Sequence, residues 1–404
     1  MPKKKKIILI SIIIFLVMIG ISAFIYYQRH KIIDDNTKFT IKNDPVASVY
    51  SKVNVSDYLE SIEGKLAEDV EIDTKELGEK EVSFIYQTED QKKRRGHFTI
   101  EIVDDEAPLV WLSSRYQLAV GSDVDLTERI MCADNYDTNP NCRIEGDYDL
   151  NTAGNYSLQF VATDNSGNQS DIAFTLQVYE PVKTNTTSAS TSEPVTTDFS
   201  EVVAQHKTEN TKVGIDVSKW QGDIDFKKVK AAGAQFVMIR VGSQQGIGGD
   251  YVIDPYFKQN IEAALAEDLE VGVYFYSYAD TLSEAKKQAE WVLRQIDAYD
   301  ISLPVAFDWE CYSSFNQMEL SLFGLNQIAE TFLDTITDQG YEGMLYGSKN
   351  YLNAIWTYHE YPVWLAHYTD QTDYEADYVM WQLCQNGTID GIDALVDINI
   401  LYQS

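Results

Sequence analysis

Pro304-Val305-Ala306-Phe307-Asp308-Trp309-Glu310 is a short apolar run that ends in two carboxylates, and its reading decides the fold of the last half of the chain. Four apolar residues in succession suit a strand buried on both faces better than an amphipathic helix. Comparable runs stand at Val213-Gly214-Ile215, Phe236-Val237-Met238-Ile239, Val271-Gly272-Val273-Tyr274-Phe275 and Met344-Leu345-Tyr346. Between them, Phe226 to Ala232, Pro255 to Glu267, Ser283 to Tyr299 and Glu319 to Gly340 carry the spacing of amphipathic helices. Strand and helix in regular alternation imply a parallel sheet covered by helices. Val363-Trp364-Leu365-Ala366, Tyr378-Val379-Met380-Trp381 and Leu395-Val396-Asp397-Ile398 follow with little room for helices, which brings the strands to eight. Residues 212–404 are therefore expected to form an α/β barrel.

The acids of this region fall in a pattern. Asp216 follows Gly214-Ile215, Asp308 and Glu310 follow Pro304 to Phe307, and Asp397 follows Leu395-Val396, so each is expected at the C-terminal end of an apolar strand. In a parallel barrel those ends share the face where barrel enzymes place their chemistry. Asp308 and Glu310 are two apart, and in an extended strand such residues point the same way, with Cα atoms roughly 6.5 to 7 Å apart. Carboxyls crowded over one pocket cannot all ionise, so one keeps its proton near neutral pH while a neighbour stays charged. Glycoside cleavage needs such a pair: one acid protonates the leaving oxygen, and a second carboxylate supports the oxocarbenium-like centre or positions a nucleophile. Taken singly, an Asp at a strand end is as readily a helix cap. Four together, flanked by aromatics, favour a site.

Gly214-Ile215-Asp216-Val217-Ser218-Lys219-Trp220-Gln221-Gly222 opens a series of motifs. It continues through Ile224-Asp225-Phe226, Ile239-Arg240-Val241-Gly242, Asp254-Pro255-Tyr256-Phe257, Gly272-Val273-Tyr274, Phe307-Asp308-Trp309-Glu310, Trp381-Gln382 and Val396-Asp397-Ile398-Asn399. In order and in content this series resembles the glycoside hydrolase family 25 lysozymes over essentially all of residues 212–404. The resemblance implies a TIM-like barrel of eight strands and about five helices. It implies an N-acetylmuramidase that cleaves the β-1,4 bond between N-acetylmuramic acid and N-acetylglucosamine without a metal or other cofactor. Carried over by position, Glu310 matches the catalytic acid, Asp308 the carboxylate beside the sugar's acetamido group, and Asp216 and Asp397 the flanking acids. Tyr274, Tyr346, Trp364 and Trp381 fall where the family lines its substrate groove. Phe226 stands where the family often has Trp, and Phe275 follows Tyr274 where His is common, a change expected to alter the groove. Cys311 directly after the acid is unusual, and a bridge from it to Cys384 would tie two loops of the active face together.

Residues 38–104 and 105–180 read as two copies of one β module. Sliding the chain by 76 places superposes Gly78 on Gly154, Phe84 on Phe160, Phe98 on Phe174 and Ile102 on Val178. Period-two alternation in Val82 to Tyr86 and Tyr156 to Phe160 predicts half-buried strands and small all-β sandwiches. Asp105-Glu106-Ala107-Pro108 and Asp164-Asn165-Ser166-Gly167-Asn168 in the second copy resemble bacterial immunoglobulin-like modules. Their Asp and Asn residues could offer calcium ligands, but Asn-Ser-Gly between strands is first of all turn chemistry. Neither copy holds a clustered catalytic set, so spacer or wall contact is the expected role. Cys132 and Cys142 lie close enough to close a small disulfide. Residues 181–211, rich in Thr, Ser, Glu and Val, read as a linker.

At the start, Lys3 to Lys6 precede an uncharged apolar run over residues 7–27. That length suits a membrane span, and the lysines of residues 1–6, outnumbering Arg29 and Lys31, place the N-terminus inside and the rest outside. A cleaved signal is the alternative, but Ser22-Ala23-Phe24 supplies its small-x-small site only weakly. A net charge of −31, from 32 Lys and Arg against 63 Asp and Glu, argues against a nucleic-acid partner. The expectation is a hydrolase anchored in the cell membrane by one span and acting outside on peptidoglycan glycan strands. A non-catalytic wall-binding protein is the alternative. A metal-dependent deacetylase would need His ligands beside the acids, and His359 and His367 are not.

Overall fold

A computed structural model describes residues 32–112, 115–181 and 195–403. The expected anchor at 7–27 lies outside them, and among the described residues no helix is long and apolar enough to cross a membrane. The chain divides into two compact units, Met1–Asp105 and Glu106–Ser404.

The first unit is built on an antiparallel hairpin of β1 (Gly78–Gln87) and β2 (Lys93–Val103), with Val82 opposite Phe98. Val82, Phe84 and Tyr86 turn inward on alternate positions, as half-buried strands require. Phe39, from a small second sheet, packs edge-on to Phe84 at 4.9 Å. Gly96 permits that approach, because a Cβ there would stand 2.6 Å from the Phe39 ring.

The second unit begins with a β module of the same plan. Its strands are β3 (Leu109–Trp111), β4 (Arg115–Ala119), β5 (Met131–Ala133), β6 (Asn141–Glu145), β7 (Gly154–Thr163) and β8 (Gln169–Tyr179). The β7–β8 hairpin pairs Leu158 with Phe174, the same register as Val82 with Phe98 one repeat earlier. Cys132 and Cys142 form a disulfide between β5 and β6, which belong to different sheets. The Asp164 carboxylate accepts from the Gly167 and Asn168 backbone at 2.7 and 2.8 Å, so it shapes the turn expected there.

The barrel follows. Seven strands run parallel: β9 (Thr211–Val217), β10 (Phe236–Gln244), β11 (Glu270–Tyr276), β12 (Val305–Asp308), β13 (Gly343–Ser348), β14 (Val363–Ala366) and β15 (Met380–Thr388). The eighth, β16 (Val396–Tyr402), is antiparallel to both β15 and β9 and closes the ring. The short connection from Thr388 to Val396 holds no helix, and a parallel return would need a crossover of a dozen or more residues. Five helices cover the outside: α2 (Phe226–Ala231), α3 (Phe257–Ala266), α4 (Leu282–Ile296), α5 (Leu322–Thr337) and α6 (Lys349–Ala354). Phe236, Met238, Ala306, Met344 and Trp364 fill the interior, while Val237, Ile239, Val305 and Phe307, one position out of phase, pack against the helices.

One boundary differs from expectation. Thr197–Asp198 pairs with Gly387–Thr388, and α1 (Phe199–His206) buries Phe199 and Val202 in the barrel's core. The C-terminal end of the expected 181–211 linker thus belongs to the barrel domain. Two apolar anchors three apart, behind an Asp198 cap, are too few to register as a helical period.

Candidate active site

β9 delivers Asp216 and β16 delivers Asp397 directly opposite it in register. Asp397 stands near the start of its strand, not the end, and reaches the same face because β16 runs backwards. Asp308 is the last residue of β12, opposite Tyr276 on one side and Tyr346 on the other. Trp309 points the opposite way and is fully buried against Phe315, Tyr351 and Trp356, which fixes the chain between the two acids. Glu310, two residues beyond Asp308, opens to solvent. Asp216, Asp308, Glu310 and Asp397 together line one cavity of about 370 Å³. A larger cleft of about 670 Å³ between α4 and α5 mixes Lys286, Glu290, Arg294 and Asp334 and brings no such set to a point.

Protons are unequally shared among these acids. Asp216 Oδ2 accepts from Gln382 Nε2 at 2.9 Å and Asn399 Nδ2 at 2.7 Å. Burial raises the Asp216 carboxyl, while those donors and a hydrogen bond with Asp397 act in the opposite sense. Asp397 is pushed up to about 9 by burial, by the Asp216 charge and by their shared hydrogen bond. Asp397 thus holds the proton of the pair and Asp216 the charge. Burial and the nearby Glu310 charge push Asp308 well above the carboxylate range, against the pull of Arg240. Its Oδ1 has no hydrogen-bond partner among the described residues. Glu310 is also raised, first by the packing around it and then by the Asp216 charge, although its side chain meets solvent. Arg240 is held in place by Nε and Nη2 bonds of 2.9 and 2.6 Å to Asp254.

Of the expected groove aromatics, Tyr274, Tyr346 and Trp364 line the cavity, but as its packed floor. Trp364 donates to Asn399 Oδ1 at 2.8 Å, and the Tyr346 hydroxyl donates to Gln382 Oε1 at 2.9 Å. Trp381 is a correction. It faces out of the barrel, packs edge-on to His206 of α1 and donates to the His367 carbonyl at 2.9 Å. Strand alternation turns its neighbour Gln382 into the cavity instead. Phe275 likewise faces outward, against Trp291 and Phe332, and does not line the cavity, so the expected alteration of the groove does not arise from it. Cys311 and Cys384 are separate buried thiols, not a bridge.

Sequence reading missed Trp220, which is 70% exposed at the cavity edge, together with Tyr276, Tyr368 and Arg240. Trp220 stands inside the Ser218-Lys219-Trp220-Gln221 motif, and an aromatic in a polar loop was the available signal.

Comparison with known proteins bears on this geometry. Residues 215–392 match the family model described as glycosyl hydrolases family 25. The uncharacterized protein YegX of Escherichia coli K12 is 27% identical over 192 residues, 46% of this chain and 68% of that protein. An autolytic lysozyme of Clostridium acetobutylicum is 25% identical over 189 residues, 46% of this chain and 54% of its own length. Among solved structures, a family 25 glycosyl hydrolase from Bacillus anthracis aligns with a TM-score of 0.42 at 20% identity, covering 49% of this chain and 92% of that one. Over residues 215–392 the barrel is thus similar to the glycosyl hydrolases of family 25, and the chain is a glycoside hydrolase.

Proposed function

We propose that the chain is a peptidoglycan hydrolase, an N-acetylmuramidase that cuts the β-1,4 bond between N-acetylmuramic acid and N-acetylglucosamine, with Glu310 as the acid. The observation that carries the reading is the convergence of four carboxyls, Asp216, Asp308, Glu310 and Asp397, on one cavity. Glu310 holds its proton above the usual carboxylate range and meets solvent, so it can give that proton to the glycosidic oxygen as the C1–O bond breaks. With Glu310 protonated, its repulsion of Asp308 disappears and Arg240 pulls toward the anion, while burial and the Asp216 charge still hold the Asp308 proton. The free Asp308 Oδ1 then accepts the N–H of the sugar's acetamido group, orienting the amide oxygen to attack C1. Positive charge developing on that amide is steadied by Asp308 and by the Asp216 anion. Water completes the turnover by attacking C1 as its proton passes to the Glu310 carboxylate and the amide is restored, which retains configuration.

The lysine-flanked run at 7–27 supports a membrane anchor with residues beyond it outside the cell, and the two β modules support an immunoglobulin-like stalk that carries the barrel toward the wall. Digestion of purified peptidoglycan by the whole chain and by Glu310→Gln tests the central reading, with muramic acid reducing ends expected only from the former.

A further inference from the structure

The second β module meets the barrel at the segment that follows Glu310. Asn316, in the 3-10 turn Tyr312–Gln317, accepts from the Cys132 N–H at 3.3 Å and donates to the Ile130 carbonyl at 3.1 Å. Its amide thus serves as a strand partner for the edge of β5. The first two N–H groups of α5, Leu322 and Phe323, have no acceptor within their own helix. They donate instead to the carbonyls of Asp134 and Asn135 in the module, at 2.7 and 3.3 Å. Met131 and Ala133 are buried in the same apolar cluster as Phe315, Met318 and Leu322.

A second set of contacts runs closer to the chemistry. Trp111 of β3 packs edge-on to Tyr351 at 5.1 Å and stacks against Tyr312 at 6.0 Å. Tyr351 in turn donates its hydroxyl to the Glu310 carbonyl at 3.3 Å, and its ring lies 6.1 Å from Trp309. From the module to the main chain of Glu310 the path is therefore two side chains long. A 3-10 segment of six residues has poorer hydrogen-bond geometry than an α-helix and gains from contacts outside itself.

We propose that the second β module is a working part of the hydrolase: it seats residues 311–318 and, through Trp111 and Tyr351, sets the position of Glu310. Trp111 and Asn316 are then positioning residues of the reaction, and the module does more than space the barrel from the membrane. The inference rests on Glu310 being the acid. A proton donor displaced by about 1 Å loses roughly 100-fold in rate.

The test compares the whole chain with Trp111→Ala, Trp111→Phe and Asn316→Ala. It measures kcat and KM on soluble glycan strands and amide hydrogen exchange across residues 309–318. Expected for both Ala variants is a kcat lower by roughly 10- to 100-fold, KM within about twofold, and faster exchange at 311–318. Trp111→Phe keeps a ring on Tyr351 and restores most of the rate. Asn316→Ala alters the barrel's side of the contact, so it decides the matter even where Trp111→Ala unfolds the module. Unchanged kcat in Asn316→Ala and Trp111→Ala would overturn the proposal. If the unmutated chain cleaves nothing, the reading of Glu310 falls. Exchange at 311–318 then still judges the seating by itself, with no change in the variants refuting it.

Discussion

Asp397→Asn should make this protein more stable. Asp397 is raised from 3.8 to about 9, so at pH 7 the fold holds a proton on a group that would be ionised in the unfolded chain. Each pH unit of that difference is worth about 1.4 kcal/mol, so the roughly three units between 3.8 and 7 cost about 4 kcal/mol. Solvent entering the cavity screens part of this, leaving an expected gain of about 1–3 kcal/mol for an amide that has no charge to lose. The sign follows from proton binding: between pH 4 and 9 the folded state binds the extra proton, so this group's contribution to stability declines as pH rises. The gain from Asn is therefore absent near pH 4, grows with pH and levels off near 9. For a barrel of this size it corresponds to a rise in Tm of roughly 3–8 °C at pH 7. The amide still donates to Asp216, so kcat at pH 6 should stay within about threefold. Thermal unfolding followed by near-ultraviolet circular dichroism at several pH values is the assay. Equal Tm values at pH 8, or a gain that shrinks as pH rises, would refute the assignment of the proton to Asp397.

Three further outcomes are expected. The rate should fall on the alkaline side as pH climbs through the raised pKa of Glu310, and Asp216→Asn should move that limb to lower pH by removing the charge that adds to the effect of burial; pH–rate profiles of kcat/KM check both. Trp220→Ala should raise KM by roughly 5- to 10-fold with kcat little changed, since sugar stacking on an exposed indole is worth about 1 kcal/mol; initial rates on soluble glycan strands measure it. Reducing the Cys132–Cys142 disulfide should destabilise the second module by about 2–3 kcal/mol and, because Cys132 holds Asn316, lower kcat as Asn316→Ala does; denaturant melts and rates with and without reductant read both effects.

Fold and acids were legible because both obey strict local rules. Five apolar runs alternate with helical periods and three more follow them, and a carboxylate beside an apolar run, as at Asp216, Asp308 and Glu310, declares itself by position. The repeat was legible because the registers Val82 with Phe98 and Leu158 with Phe174 repeat one pattern of inward residues. What escaped were facts of facing and closure. Trp381 and Phe275 sit in apolar runs where either face can be the barrel's interior, and only the assembled sheet decides between them. The direction of β16 depends on what its connection leaves out. α1 is a helix held by two anchors, too short to stand out against a Thr- and Ser-rich background. The contact between the second module and the segment after Glu310 joins residues some 180 positions apart, Cys132 to Asn316 among them, and nothing in either stretch announces the other.

The most direct measurement is digestion of purified bacterial peptidoglycan by the whole chain beside Glu310→Gln, with the new reducing ends identified by mass spectrometry. The account predicts muramic acid ends from the unmutated chain and essentially none from the variant. Glucosamine ends, or equal cleavage by Glu310→Gln, would contradict it.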